Sequence, residues 1–262
     1  MKILVTGAAS GIGRATAEYF AERGHEVYGI DIKPIESEKN IECFTADLTS
    51  EEDMNRLKSA FEARGLVFDA IISVAGVHAM SSFVEDGFSD MKRLIEINLL
   101  GAMLFVNTFH SLLAPRGRVV IVTSEVANLY PMPFNGLYSV SKSALDCYAD
   151  ALGKELILLG QRVITVRPGA VETSLARGSL DSTERLAKRT ELYKAESAKF
   201  LRITKRFMGK PISPTRVARV LYRAATARRP RAVYSIHRNL GLVLFGKLPP
   251  ALSRFCIKTL LK

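Results

Sequence analysis

Tyr138 and Lys142 stand four residues apart in the apolar-periodic stretch Asn-Gly-Leu-Tyr-Ser-Val-Ser-Lys. On a helix this spacing puts both side chains on one face. A phenol titrates at about 10 and is a poor proton donor or acceptor at neutral pH unless its anion is stabilised. A lysine cation at about 4 Å, in an effective dielectric of about 20, supplies roughly 4 kcal/mol, or about three pKa units before desolvation is subtracted. The chemistry on offer is proton transfer at a substrate oxygen. Thr123, Ser124 and Glu125 compete upstream to complete the site. A hydroxyl can donate to such an oxygen and an ionised glutamate cannot, which favours Thr123 or Ser124 over Glu125.

A second constellation lies at the N-terminus, in Thr6-Gly7-Ala8-Ala9-Ser10-Gly11-Ile12-Gly13. A glycine-rich turn from strand to helix lets backbone N–H groups, here from Ser10 to Gly13, face a pyrophosphate without a Cβ in the way. The spacing is G-x-x-x-G-x-G and differs from the G-x-G-x-x-G fingerprint. Asp31 ends the next β-rich run, where a carboxylate accepts from a ribose 2′-hydroxyl and repels a 2′-phosphate. The pattern points to NAD ahead of NADP, although Arg14 and Lys33 are cationic neighbours.

The elements that must position these groups alternate. β-rich runs occupy 3–6, 26–31, 42–46, 70–74, 118–124 and 162–168, and helical patterns occupy 12–23, 51–64, 91–112 and 136–159. Positions 119–122 and 163–166 are apolar at almost every residue, as in strands buried on both faces. This order predicts an α/β fold with a doubly wound, Rossmann-like parallel sheet. From 172 to 212 the alternation stops in a charged helical segment, expected to be a lid over the ligand crevice, before a helix at 214–226. The predicted organisation is one catalytic domain over 1–235 and a basic extension over 236–262.

Composition narrows the classes. Hydrophobic residues make up 48% of the 262, enough for a sizeable core. Cys43, Cys147 and Cys256 form no C-x-x-C pair, which argues against structural zinc and a disulfide framework and fits a reducing compartment. The four histidines (His25, His78, His110, His237) lack metal-ligand spacing and read as surface or hydrogen-bonded residues, with no metal expected. The N-terminal apolar run is too short for a signal peptide, and no window reaches the roughly 20 apolar residues of a spanning helix. Of the +11 net charge, residues 1–175 contribute 16 Lys/Arg against 22 Asp/Glu, and residues 176–262 contribute 21 against 4. So one-sided a run favours an anionic partner. Nucleic acid is not expected, because no recognition motif accompanies the charge.

Taken together, the motifs of residues 1 to about 235 resemble the short-chain dehydrogenase/reductase family in its compact single-domain form. The matches come in the family's order: the glycine turn at 6–13, Asp31, Ala46-Asp47-Leu48, Ala75-Gly76, Asn98, Tyr138-x-x-x-Lys142 and Pro168-Gly169-x-Val171-x-Thr173. The resemblance implies hydride exchange between a nicotinamide cofactor and a carbinol or carbonyl carbon. It makes Tyr138 the general acid/base and Lys142 the group that holds the cofactor ribose and lowers the Tyr138 pKa. It implies that Ser124 polarises the substrate oxygen and that Asn98 keeps a water in a relay with Lys142. Asp47 and Leu48 would face the adenine, and Val171 and Thr173 the carboxamide. Two departures stand out: Ser73-Val74 replaces the family's usual asparagines, and Ser124 precedes Tyr138 by 14 residues where 13 is usual.

Leu129, Tyr130, Met132, Pro133 and Phe134 lie between Ser124 and Tyr138, and the lid adds Leu201, Phe207 and Met208. With Arg177 and Arg202 as the cations able to read an acidic substrate, this wall predicts a lipophilic alcohol or ketone of steroid, retinoid or fatty-chain type. After Pro250, helical spacing groups Leu252, Phe255, Cys256, Ile257 and Leu260 on one face. A basic amphipathic helix there fits a membrane surface or a subunit interface equally. The expectation is a cytoplasmic homo-dimer or tetramer with peripheral membrane contact. The alternatives are an NADP-dependent carbonyl reductase and a membrane-associated dinucleotide sensor with little catalysis.

Overall fold

The computed structural model describes residues 1–207 and 210–262, with the backbone alone for 174–180, 206 and 207. The expectations on Met208 and on the side chains of Arg177 and Phe207 lie outside the described residues.

Seven strands form one parallel sheet in the order β3-β2-β1-β4-β5-β6-β7. They are β1 (Lys2–Thr6), β2 (Glu26–Asp31), β3 (Ile41–Thr45), β4 (Phe68–Ser73), β5 (Leu113–Val122), β6 (Arg162–Pro168) and β7 (Val233–Ile236). The helices are α1 (Gly11–Ala21), α2 (Glu51–Ala63), α3 (Phe88–Ile95), α4 (Gly101–Phe109), α5 (Gly136–Leu156), α6 (Ser174–Arg189), α7 (Lys194–Phe207), α8 (Pro214–Thr226), α9 (Leu240–Phe245) and α10 (Pro250–Leu261).

Strand side chains alternate between two cores, which is why the strands read as unbroken apolar runs. Leu4, Ile30, Ile71 and Ile121 face Met54 and Phe61 of α2, Phe105 and Phe109 of α4, and Leu145 of α5. Their neighbours Ile3, Val5, Ile72, Val120 and Val122 face Phe20 of α1 and Val217 and Leu221 of α8. Local signals agree with the ends of the helices. Ser50 caps α2 by accepting from Asp53 N, and three acids occupy the first turn. Ser213 caps α8 ahead of Pro214.

Two features depart from the sequence reading. β7, half-exposed at the sheet edge, carries no fully buried run, and it ends at Ile236, one residue past the expected domain boundary. The helical run Phe88–Leu112 is by length and composition apolar enough to cross a membrane. Here its Phe105, Val106 and Phe109 are buried against the sheet instead.

Candidate active site

The motif residues gather beyond the carboxyl ends of the strands. Between β1 and β4 the winding reverses, and a crevice opens at such a switch point. Thr6 Oγ1 ties the two strands together by accepting from Val74 N (3.0 Å) and Ala75 N (3.1 Å). Gly7 and Gly11 have φ of +72° and +56°, a region that suits glycine. A Cβ on Gly13 would overlap the carbonyl oxygen of Gly7, so the turn into α1 closes only around glycine. Ser10 precedes α1 in extended conformation and makes no side-chain cap, which leaves the first-turn amides, Ile12 among them, to other acceptors.

Asp31 sits over this turn and accepts from Ala9 N and Lys33 N, both at 3.0 Å. Arg14 is held by Glu18 at 2.6 Å and by Glu38 at 2.5 Å. Asp47 Oδ1 accepts from Thr49 N and Oγ1, shaping the turn that leads to Leu48. Past β6, Gly169 N donates to Ile236 O, Val171 bridges to Ile212, and buried Thr173 lies against Gly11. Gly76 leaves room beside Asn98 Oδ1 and Lys142 Nζ, which a Cβ would approach to 3.0 and 3.3 Å. These glycines and the open amides form a cradle that fits an extended dinucleotide.

Beside the cradle, the structure separates the three rivals upstream of Tyr138. Thr123 Oγ1 donates to Asp146 Oδ1 (3.0 Å), and Arg167 clamps the same carboxylate at 2.8 and 2.6 Å. That network locks β5, α5 and β6 together one turn beyond Lys142. Glu125 is buried but directed at the C-terminal segment, where its Oε2 accepts from Asn239 N at 2.7 Å, and burial raises its pKa. Ser124 lies close enough to the Tyr138 hydroxyl to pull its pKa down, and its Oγ accepts from Val126 N at 3.4 Å.

Burial pushes the Tyr138 phenol up to about 12, with Ser124 pulling down and the Glu125 carboxylate pushing up. Burial also lowers Lys142 to about 8, and its Nζ donates to Val122 O at 3.4 Å. The resemblance implied a phenol lowered by Lys142. In the chain itself burial dominates, because both groups are removed from water.

Asn98 lies in a π-helical turn, Glu96–Leu100, between α3 and α4. Such a turn often marks a functional position. Its side chain accepts from Val77 N (2.7 Å) and donates to Val77 O (2.9 Å) and Ser141 Oγ (3.1 Å). Ser141 in turn donates to Tyr138 O at 2.8 Å. One chain of hydrogen bonds thus joins the loop after β4 to the helix bearing Tyr138 and Lys142.

His78, read from the sequence as a surface or hydrogen-bonded histidine, is hydrogen-bonded and lies against Tyr138. Its ring meets Tyr138 edge to face at 4.4 Å, its Nε2 bonds Asn135 Oδ1 (3.0 Å), and burial lowers its pKa. The one signal available was its position two residues past Gly76 on a crevice loop.

The short-chain dehydrogenase family model matches residues 1–184. The chain belongs to that family. Members bind NAD(H) or NADP(H) in general. Among its relatives, 3-ketodihydrosphingosine reductase from Bacteroides thetaiotaomicron is 28% identical over 176 residues, covering 65% of this chain and 64% of the relative. The chain therefore spans less than two-thirds of that relative's length. A short-chain dehydrogenase family protein from Francisella tularensis shares the fold with a TM-score of 0.75 at 24% identity, covering 90% of this chain and 96% of the other. The 3-ketoacyl-(acyl-carrier-protein) reductase from Brucella melitensis, complexed with NADH, has a TM-score of 0.71 at 18% identity, covering 90% and 96%.

Met132 and Phe134, between Ser124 and Tyr138 in the sequence, pack with Met80, with Leu186 and Phe200 of α6 and α7, and with Ile257 and Leu261 of α10. Phe134 touches Tyr193 and Phe200 edge to face at 5.5 and 5.4 Å. Glu85 and Asp86 fasten the far end of α6 through Thr190, the amides of Glu191 and Leu192, and Arg189. Leu129 is buried, Leu201 is half-buried, and Tyr130 and Arg202 are exposed.

The placement of Ser124 beside Tyr138 yields a prediction. Ser124→Ala is expected to lower kcat about 10²-fold, the effect of losing one aimed donor. Glu125→Gln keeps within a few-fold of wild type, because it retains an acceptor for Asn239 N. Steady-state kinetics on both variants check this, and the reverse ranking would refute it.

Proposed function

We propose that this chain is an NAD-dependent oxidoreductase interconverting a lipophilic secondary alcohol and its ketone. The observation that carries the reading is the Tyr138 hydroxyl, beside Ser124 and one helical turn from buried Lys142, next to a glycine cradle. A nicotinamide held in that cradle would supply or accept the hydride. Tyr138 takes the proton from the carbinol oxygen in oxidation and returns it in reduction. Ser124 holds the same oxygen. Lys142 is mostly cationic at neutral pH even when lowered to about 8, so it favours the phenolate when a proton leaves Tyr138. It would also hold the ribose hydroxyls. Asn98 fixes Val77 and Ser141 on either side of this pair, and shares the space around Gly76 with Lys142, the place for a relay.

The amides from Ser10 to Gly13 would take the pyrophosphate, Asp47 and Leu48 the adenine, and Ala75 and Gly76 the middle of the cofactor. Pro168, Gly169, Val171 and Thr173 would border the carboxamide. Asp31 supports NAD over NADP, and Arg14, the cation in the turn, is neutralised by Glu18 and Glu38. Asp31→Asn is expected to lower kcat/KM for NAD+ about 10-fold or more, the worth of charge-assisted bonds to a ribose, and to raise it for NADP+. Paired assays with the two cofactors measure this, and an unchanged ratio would remove the NAD assignment.

The apolar cluster of Met80, Met132, Phe134 and Phe200 supports a lipophilic substrate. Turnover of small polar ketones matching that of steroid-sized ones would contradict it. Exposed Leu100, Val140, Ile157 and Leu158 supply an apolar surface on the helices of the Asn98 and Tyr138 side for a second copy, in line with a homo-dimer or tetramer.

A further inference from the structure

The C-terminal helix is turned differently from its simplest sequence reading. α10 docks on the lid through Ile257 and Leu261, which join Leu186, Phe200 and Ile203 in a separate apolar cluster. Leu252, Phe255 and Leu260 face outward, 46%, 65% and 53% exposed. At about 100° per residue they span an arc of about 140° that also holds Cys256 and Thr259. Along one flank of that arc run Arg254, Lys258 and Lys262, four residues apart and all exposed. The preceding helix repeats the theme, with Leu240 and Leu244, 75% and 72% exposed, one turn apart between Arg238 and Lys247. No acidic residue follows Glu196 in the sequence.

We propose that this outward face of α9 and α10 is a docking surface for the headgroup region of an anionic lipid bilayer. Large apolar side chains on an outward helical ridge, with cations along the flank, suit burial at the boundary between headgroups and acyl chains. Charge complementarity selects the occupant. A second copy seated on this face would bring two acid-free basic surfaces together, whereas anionic headgroups neutralise them. The surface is also tied to the catalytic loop: Asn239 N donates to Glu125 Oε2, and Tyr130 N donates to Gly246 O at 2.9 Å. Docking there sets the mouth of the site beside the bilayer. The value of that position to a lipophilic substrate rests on the function proposed above; the docking itself does not.

The test uses the full chain with vesicles of phosphatidylcholine, alone or mixed with phosphatidylglycerol, in a sedimentation assay. Wild type is expected to bind the mixed vesicles, to bind the neutral ones far more weakly, and to be released by salt. Each cation near an anionic surface contributes about a fivefold gain in partitioning. Replacing Arg254, Lys258 and Lys262 by glutamine should therefore weaken binding about 10²-fold. Replacing Leu252, Phe255 and Leu260 by serine should weaken it at least about 10-fold, the effect of removing apolar surface that the lipid would cover. NADH fluorescence and alcohol turnover in solution should be unchanged in both triple variants, showing folded enzyme and separating this proposal from the catalytic one. Three results would overturn the proposal: no binding of wild type to anionic vesicles, full binding by the serine variant, or dissociation of an oligomer by the serine variant without vesicle binding.

Discussion

Tyr138→Phe is expected to lower kcat about 10³-fold, within the range that general acid/base groups supply, while NADH binding stays within a few-fold of wild type. The substitution removes one oxygen. The ring remains to pack edge to face on His78 at 4.4 Å, and the helix keeps its bonds through Ser141 and Asn98. What is lost is the hydroxyl beside Ser124. Wild-type alcohol oxidation should also rise with pH from neutrality, because burial holds the phenol well above neutral and the phenolate is the working base. Ketone reduction uses the protonated phenol and should be flat there and fall at high pH. The residual activity of the phenylalanine variant should lack both limbs. Equal loss of cofactor binding would mean that Tyr138 shapes the cradle and does not merely move a proton.

Lys142→Met is expected to abolish most turnover, about 10²- to 10³-fold, yet leave the fold as stable or more so. Burial lowers the ammonium from 10.5 to about 8, a displacement that corresponds to about 3 kcal/mol of folded-state destabilisation at neutral pH. The sign follows from proton binding. Between about 8 and 10.5 the unfolded chain holds this proton more tightly than the folded one, so wild-type stability rises with pH across that window. Below it the penalty is fully present. The advantage of the methionine variant should therefore be greatest near neutrality and shrink by about 2 kcal/mol by pH of about 10. Denaturant titrations at both pH values measure it. A lysine kept for structure would give the opposite result, with stability falling alongside activity.

The sheet was legible because strands buried on both faces have to be apolar at nearly every position, as at Val119 to Val122. β7 escaped because an edge strand covers only alternate residues, here half-buried Tyr234 and Ile236, behind an arginine-rich stretch. Within the site, i, i+4 spacing was enough to place Tyr138 and Lys142 on one helix face, and glycine spacing marked the turn at 7–13. The third member depended on tertiary bonds. Asp146, more than twenty residues from Thr123 and clamped by Arg167, occupies the Thr123 hydroxyl, and Asn239 draws Glu125 the other way. The contact of His78 with Tyr138 was illegible for the same reason, since only packing brings a lone histidine onto that ring. α10 shows a different limit. Apolar residues occupy both sides of it, so periodicity grouped Ile257 with Leu252, Phe255 and Leu260, whereas docking on Phe200 separates them.

The most direct test of the catalytic assignment follows reduced nicotinamide by its absorbance while wild type and Tyr138→Phe are offered NAD+ and a panel of secondary alcohols running from small and polar to steroid-sized. The account predicts steady NADH formation by wild type on the lipophilic members, and almost none by the variant despite preserved NADH fluorescence. Wild type that binds NADH but turns over no alcohol on the panel, and no matching ketone in reverse, would contradict it.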